Sequence, residues 1–260
     1  MAPYVDCHAH LGTKDFSEDY NQVIERAKEA GVGLIVNCTD TVKDFDLTLK
    51  ISSEYPDLCL CCLGLHPDSI PLGEVSYREG LARMTENVDR MAAVGEVGLD
   101  YHYGVGEENH RIQRFILDSM CEFAETHHLP IVIHCRDAAE DLLEILSRHR
   151  LGKIYLHCYQ EDAEFAERLL NQGYDVIFGF TGIITFKSAE ALRETAKALP
   201  LDRIVTETDS PCLSPVPFRG KRNEPTRVVQ VAKKLAEVRG EDIETLKEAV
   251  YDTARRFYGR

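Results

Sequence analysis

Apolar positions along the chain come in short blocks separated by longer mixed stretches. The blocks fall at Tyr4–Cys7, Leu34–Asn37, Leu58–Leu63, Met91–Val94, Ile131–Ile133, Ile154–Leu156, Val176–Phe178 and Ile204–Val205. They are rich in Val, Ile and Leu and apolar at successive positions, as expected for parallel strands buried on both faces. The gaps carry helical spacing. Ser17 is a candidate cap for a helix bearing Val23, Ile24, Ala27 and Ala30, stopped by Gly31. A longer helix from Glu107 to His128 carries Ile112, Phe115, Ile116, Met120 and Phe123 and ends at Leu129-Pro130. Asp137 and Asp162 open two more, the second ending before Gly173, and a last one carries Ile243, Leu246, Val250, Ala254 and Phe257.

Eight strand-helix alternations in 260 residues predict an α/β fold, a closed (β/α)8 TIM-like barrel forming a single domain over 1–260, with one extra C-terminal helix. An open doubly wound sheet is the competing architecture. No glycine-rich phosphate fingerprint follows the first strand, which counts against it.

Composition narrows the classes. Hydrophobic content of 44% suits a packed core. No apolar run approaches the ~20 residues of a membrane span. The start, MAPYVDCHAH, has neither a basic region nor an apolar stretch like a secretory signal, so a cytoplasmic protein is expected. Of the nine cysteines only Cys59 and Cys62 have C-x-x-C spacing, within an apolar run, and most of the nine lie in strand-like segments, so reduced, buried thiols are expected and a cysteine zinc cluster is not. A net charge of −14 argues against a generic nucleic-acid coat. An enzyme acting on nucleic acid stays open, because bound cations and a local basic loop reverse the field where it matters.

In such a barrel, chemistry sits at the C-terminal ends of strands. His8 and His10 follow the first block, His66 the third, Glu96 and Asp100 the fourth, His134 and Arg136 the fifth, His157 the sixth, and Glu207 and Asp209 the eighth. His8 and His10 share a face by strand alternation, with Asp6 one layer deeper. Alone, the pair is either two metal ligands or a polar strand end. His102 lies in the loop after the fourth block, and His110, His127, His128 and His149 in helical or helix-end contexts where solvated side chains are expected. Four imidazoles and two carboxylates at one end of successive strands carry a large burial cost that metal ions relieve. That set exceeds what one catalytic ion takes. Two ions about 3.5–4 Å apart, sharing a carboxylate and a water, fit it. Glu96 is the expected bridge, with His8, His10 and Asp209 on one ion and His134 and His157 on the other.

Six motifs carry a resemblance: DCHAH (6–10), GLHP (64–67), VGEVGLDY (94–101), LPIVIHCRDA (129–138), GIITFKSAE (182–190) and ETDSPCLSPVPFRGKRNEP (207–225). In these the chain resembles the TatD-type metal-dependent deoxyribonucleases, within the amidohydrolase-like barrels. The resemblance implies two divalent ions, magnesium or manganese, where the histidine-rich ligand set itself also tolerates zinc, and hydrolysis of DNA phosphodiesters, described as 3′-to-5′ exonuclease action on single strands. It matches His8, His10, Glu96, His134, His157 and Asp209 to the family's metal residues. It puts His66, Arg136, Arg219 and Asn223 in motifs lining the active site, as substrate contacts. Two stretches depart from the pattern. HCYQEDAE (157–164) has acids where small residues are usual, and HYG follows GLDY where a second aromatic and a basic residue are more common.

The expected chemistry is attack by a water held between the ions, with Asp209 as ligand and base and Glu96 as bridging carboxylate. Arg219, Lys221 and Arg222 are either a phosphate-gripping lip or a solvated loop. Tyr101 and Tyr103 either stack bases or pack at the rim, and Glu207 is either an extra metal ligand or, the favoured reading, a partner behind one. DNA is the expected partner, with no membrane and no obligate protein partner. The alternative is an amidohydrolase-type ester or amide hydrolase, including ester hydrolysis on aminoacyl-tRNA. A non-catalytic metal-binding barrel would be marked by missing ligands, and all six are present.

Overall fold

The computed structural model describes residues 1–67 and 73–259. Its strands are β1 (Tyr4–Ala9), β2 (Val32–Asn37), β3 (Cys59–Leu63), β4 (Ala93–Asp100), β5 (Ile131–Arg136), β6 (Lys153–Leu156), β7 (Asp175–Phe180) and β8 (Ile204–Thr206). They form one parallel sheet in sequence order. The sheet closes into a TIM barrel, with β1 meeting the chain beyond β8 through an Ala9–Ser210 bridge. The helices are α1 (Tyr20–Glu29), α2 (Phe45–Glu54), α3 (Gly73–Glu86), α4 (Glu107–His127), α5 (Ala139–Leu146), α6 (Ala163–Leu170), α7 (Glu190–Ala198), α8 (Val228–Arg239) and α9 (Ile243–Tyr258). No helix among the described residues is long and apolar enough to cross a membrane.

All eight apolar blocks are strands, because each is covered by barrel filling on one face and helices on the other. The fourth differs most: it runs on to Asp100, with every residue of AVGEVGLD buried. Glu96 therefore lies within the strand rather than after it. Gly98 permits this, since a Cβ there (φ +150) would meet the His134 carbonyl oxygen at 2.0 Å.

Two predicted helix starts shift. Ser17 donates to the Lys14 carbonyl, and α1 begins at Tyr20. Asp137 has φ 54, and α5 begins at Ala139 without a side-chain cap. Asp162 does cap α6, accepting from Phe165 N at 2.8 Å. The extra C-terminal helix is α9. Phe257 is wholly buried beneath Tyr155, ring centroids 6.1 Å apart, and Lys153 Nζ donates to the Phe257 carbonyl at 2.8 Å. Thus α9 covers the N-terminal end of the barrel and leaves the opposite mouth for chemistry.

The same end carries an ion-pair cluster in which Asp175, opening β7, holds Arg256 Nη1 at 2.6 Å and also binds Arg203. Partial burial would raise the Asp175 carboxyl, but the two guanidinium groups carry it below its ordinary value. A depressed folded pKa means the stabilisation is present above the unfolded value, about 3.9, and is lost as pH falls through the folded one. Asp175→Asn is expected to cost on the order of 1 kcal/mol at pH 7, since the pair is partly exposed. Urea midpoints of both proteins at pH 7 and pH 3.5 check this: the gap should narrow at the lower pH, and a constant gap would contradict it.

Candidate metal centre

Closure of the barrel and assembly of the centre use the same residues. Asp209 N donates to the His8 carbonyl at 2.9 Å, and His10 N donates to the Ser210 carbonyl at 2.8 Å. Beneath them, buried Asp6 accepts from Thr208 N at 2.8 Å and Thr208 Oγ1 at 2.6 Å, tying β1 to the chain after β8. Asp209 has φ 57, a left-handed conformation that breaks strand alternation. Parity alone would send Glu207 and Asp209 the same way. The turn instead directs Asp209 to the histidines of β1, while Glu207 stays in the interior.

Glu96 is the focus. Its Oε1 lies 2.8 Å from His157 Nε2, 3.2 Å from His134 Nδ1 and 3.3 Å from His66 Nε2. Its Oε2 lies 3.1 Å from His8 Nε2 and 3.3 Å from His10 Nε2. Asp209 Oδ1 stands 3.3 Å from His10 Nε2 and 3.8 Å from His8 Nε2. All six residues expected as ligands therefore meet at one mouth. His8, His10 and Asp209 form one group, and His134 Nδ1 lies 3.2 Å from His157 Nε2, in line with the expected division. His157 also stacks on His8, ring centroids 3.9 Å apart, and groups with His8 and Glu96, and His66 groups with Glu96 and His134. His66, expected as a substrate contact, stands beside the Glu96 carboxylate within the cluster.

The donor set fits divalent cations. Atoms about 2.1 Å from a common ion stand roughly 3.0–3.4 Å apart, the spacing seen around Glu96. The His8 and His10 Nε2 atoms approach to 3.0 Å, closer than two uncharged or two charged imidazoles sit without a shared cation or proton. Imidazole nitrogen and carboxylate oxygen together suit zinc, manganese or magnesium.

The electrostatics follow from crowding. Burial would raise Glu96, but the imidazoles of His157, His66 and His8, with a hydrogen bond from His10, carry it well below its ordinary value. Asp209 is lowered in the same way by His10 and His157 against its burial. Burial would lower His10 and His157, yet nearby carboxylates, Asp40 for the first and Glu96 for the second, raise both well above the ordinary imidazole value. His8 is lowered by burial and by His157.

Three acids orient these rings from behind. Asp100 Oδ2 lies 3.1 Å from His134 Nε2, while Oδ1 accepts from Tyr103 N at 2.8 Å and His102 N at 2.9 Å. Burial opposes ionisation of Asp100, but these partners, His134 foremost, lower it to about 2. Glu207 accepts from Tyr155 Oη and from Cys158 N and lies 3.7 Å from His157 Nδ1. A Cβ on Gly179 would strike the Tyr155–Glu207 pair at 2.5 Å, which explains glycine there. Asp40 Oδ1 lies 3.2 Å from His10 Nδ1. Sequence reasoning missed Asp40. Its signal was a polar NCTD run after the second strand, the same strand-end position as the other site residues.

The expected substrate contacts divide. Arg136 lies at the end of β5 with its guanidinium 4.8 Å from the Tyr103 ring centroid, and exposed Arg219 lies 4.1 Å from that of Phe186. Asn223 does not face the mouth as a substrate contact. It is fully buried, its Nδ2 donates to the Thr208 and Cys212 carbonyls at 2.8 and 2.7 Å, and its Oδ1 accepts from Glu224 N. It clasps the loop that carries Asp209. Arg222 likewise leaves the basic lip, held by Asp19 at 2.6 and 2.9 Å, which leaves Arg219 and Lys221 exposed. His149 and His110 are not solvated as expected: His149 Nε2 lies 3.0 Å from Asp118, and His110 stacks on Tyr101. All nine cysteines are free, six of them buried, with Cys212 exposed.

Residues 5–259 match the model of a family described as TatD related DNase. The metal-dependent hydrolase YabD of Bacillus subtilis (strain 168), itself uncharacterised, is 35% identical over 258 residues, covering 97% of this chain and 98% of that one. The mouse protein TATDN3, provisionally named a deoxyribonuclease, is 29% identical, covering 98% of this chain and 87% of its own. Among solved structures, YJJV, a TatD homologue from Escherichia coli K12, superposes with a TM-score of 0.88 at 28% identity, covering 99% of this chain and 98% of that one.

Proposed function

The chain belongs to the TatD-related DNase family of metal-dependent hydrolases, and from that premise we propose that it hydrolyses DNA phosphodiesters as a 3′-to-5′ exonuclease on single strands, with two divalent ions held by His8, His10, Glu96, His134, His157 and Asp209. The observation that carries this reading is the convergence of five imidazoles within 3.3 Å of the two Glu96 oxygens. Divalent ions bound there would supply Lewis acidity, polarising the phosphate and lowering the pKa of the attacking water.

The side chains do the rest. Asp209 is 16% exposed against 2% for Glu96, so it is the carboxylate of this pair that solvent reaches, and it takes the proton of the attacking water. Asp100 fixes the ring of His134 by a hydrogen bond, and Asp40 and Glu207 stand as countercharges behind His10 and His157. Arg136, Arg219 and Lys221 supply positive charge at the mouth of a chain whose net charge is −14, where flanking phosphates would lie. The setting is cytoplasmic in this proposal, supported by nine free thiols.

End-labelled single- and double-stranded oligonucleotides incubated with magnesium, manganese or zinc test it, with aminoacyl-tRNA and simple esters alongside. Stepwise shortening of single strands from the 3′ end is expected. Internal fragments appearing first would overturn the exonuclease assignment. Turnover of esters without any cleavage of DNA would overturn the DNA assignment in favour of the amidohydrolase-type alternative.

A further inference from the structure

Large apolar side chains exposed among the described residues are Met1, Tyr103, Val105, Phe115 and Val216. Tyr103, 65% exposed, and Val105, 74% exposed, share the β4–α4 loop that follows the strand bearing Glu96. Tyr101, two residues earlier, is spent internally: it stacks on His110 with centroids 3.7 Å apart, and its hydroxyl donates to Asp141 at 2.5 Å. Tyr103 is built differently. Arg136 covers one ring face at 4.8 Å, and His102 meets the ring edge-on with centroids 4.8 Å apart. The backbone beneath is rigid, because Asp100 receives the amides of His102 and Tyr103 on one oxygen and faces His134 with the other. One carboxylate thus sets the distance from the tyrosine to the cluster around Glu96.

We propose that Tyr103 is a specificity-determining platform on which a nucleobase of the bound strand stacks, with Arg136 as a positioning residue that backs the ring. This rests on the nucleic-acid reading above and adds the group that recognises the base. A ring 65% exposed and backed by a cation matches what single-stranded nucleic acid offers: bases not covered by a partner strand. A duplex keeps its bases stacked, so this contact favours single strands or frayed ends. A second arginine-aromatic pair, Arg219 on Phe186, stands on the loops after β8 and β7, across the barrel from β4 and β5.

The test uses wild type, Tyr103→Ala and Tyr103→Phe with a single-stranded oligonucleotide carrying 2-aminopurine near its 3′ end, and the same oligonucleotide with abasic residues there. Wild type and Tyr103→Phe should bind the base-bearing strand alike and quench its fluorescence. Tyr103→Ala should bind it about 5- to 20-fold more weakly without the quench, within the range for loss of one base-aromatic stack, and should bind the abasic strand as wild type does. Equal affinity and quenching in Tyr103→Ala, or equal losses on the abasic strand, would overturn the platform. Quenching that depends on Tyr103 in a protein that cleaves no DNA would keep the platform and sink the nuclease reading, so the two failures are distinguishable. Absence of oligonucleotide binding by wild type would overturn the platform as well.

Discussion

Asp209→Asn is expected to leave a folded barrel that hydrolyses its substrate about 10²- to 10⁴-fold more slowly, the usual contribution of a positioned general base. The substitution keeps the shape and the Asp209 N bond to the His8 carbonyl that helps close the barrel. It removes the negative charge from the oxygen 3.3 Å from His10 Nε2, and with it the proton acceptor and the charged metal donor that the proposed mechanism assigns to Asp209. Steady-state rates with saturating metal, together with circular dichroism and Tm, separate the chemical loss from unfolding. Turnover within a few-fold of wild type would remove Asp209 from the mechanism.

Glu96→Gln should have the second large effect, and it reads out in metal binding without any assay of turnover. Saturating divalent metal is expected to stabilise the wild type by about 2.7 kcal/mol at a hundredfold excess over Kd. For a chain of this size that raises Tm by roughly 5–11 °C. In Glu96→Gln a neutral amide faces the five imidazoles, and metal affinity should fall by at least about 10–100-fold, the loss seen when even an outer partner of a ligand is removed. At the same metal concentration the rise in Tm then shrinks to about 3–6 °C for a tenfold loss and to about 1–2 °C for a hundredfold loss. Elemental analysis should give about two ions per wild-type chain and fewer in the variant. An unchanged shift and stoichiometry in Glu96→Gln would show that Glu96 holds no metal.

Much of this architecture was legible in one dimension. A strand buried on both faces has no polar face to maintain, so it appears as a compact apolar block, and all eight blocks are strands. Helix signals were less complete. The patterns singled out α1, α4, α5, α6 and α9, whereas α2, α3, α7 and α8 were implied only by the alternation. The last of these starts without a side-chain cap, and its helical start depends on what it packs against. The candidate ligands stood out because imidazoles and acids are rare next to buried strands and here fell repeatedly at one end of them.

What could be read from the chain alone, then, was the barrel, the end of it that carries chemistry and the residue types gathered there. These follow from local periodicity and from the cost of burying polar groups. Which of those residues touch was decided only by the closed fold. Asp40 reaches His10 from the next strand, Asp100 serves both His134 and the loop bearing Tyr103, and Asn223 and Arg222 bind their own surroundings instead of the mouth. Spacing along one strand says which way a side chain points, but not which neighbour claims its hydrogen-bonding atoms. Those neighbours come from segments up to about two hundred residues away, brought together by packing that no single segment encodes.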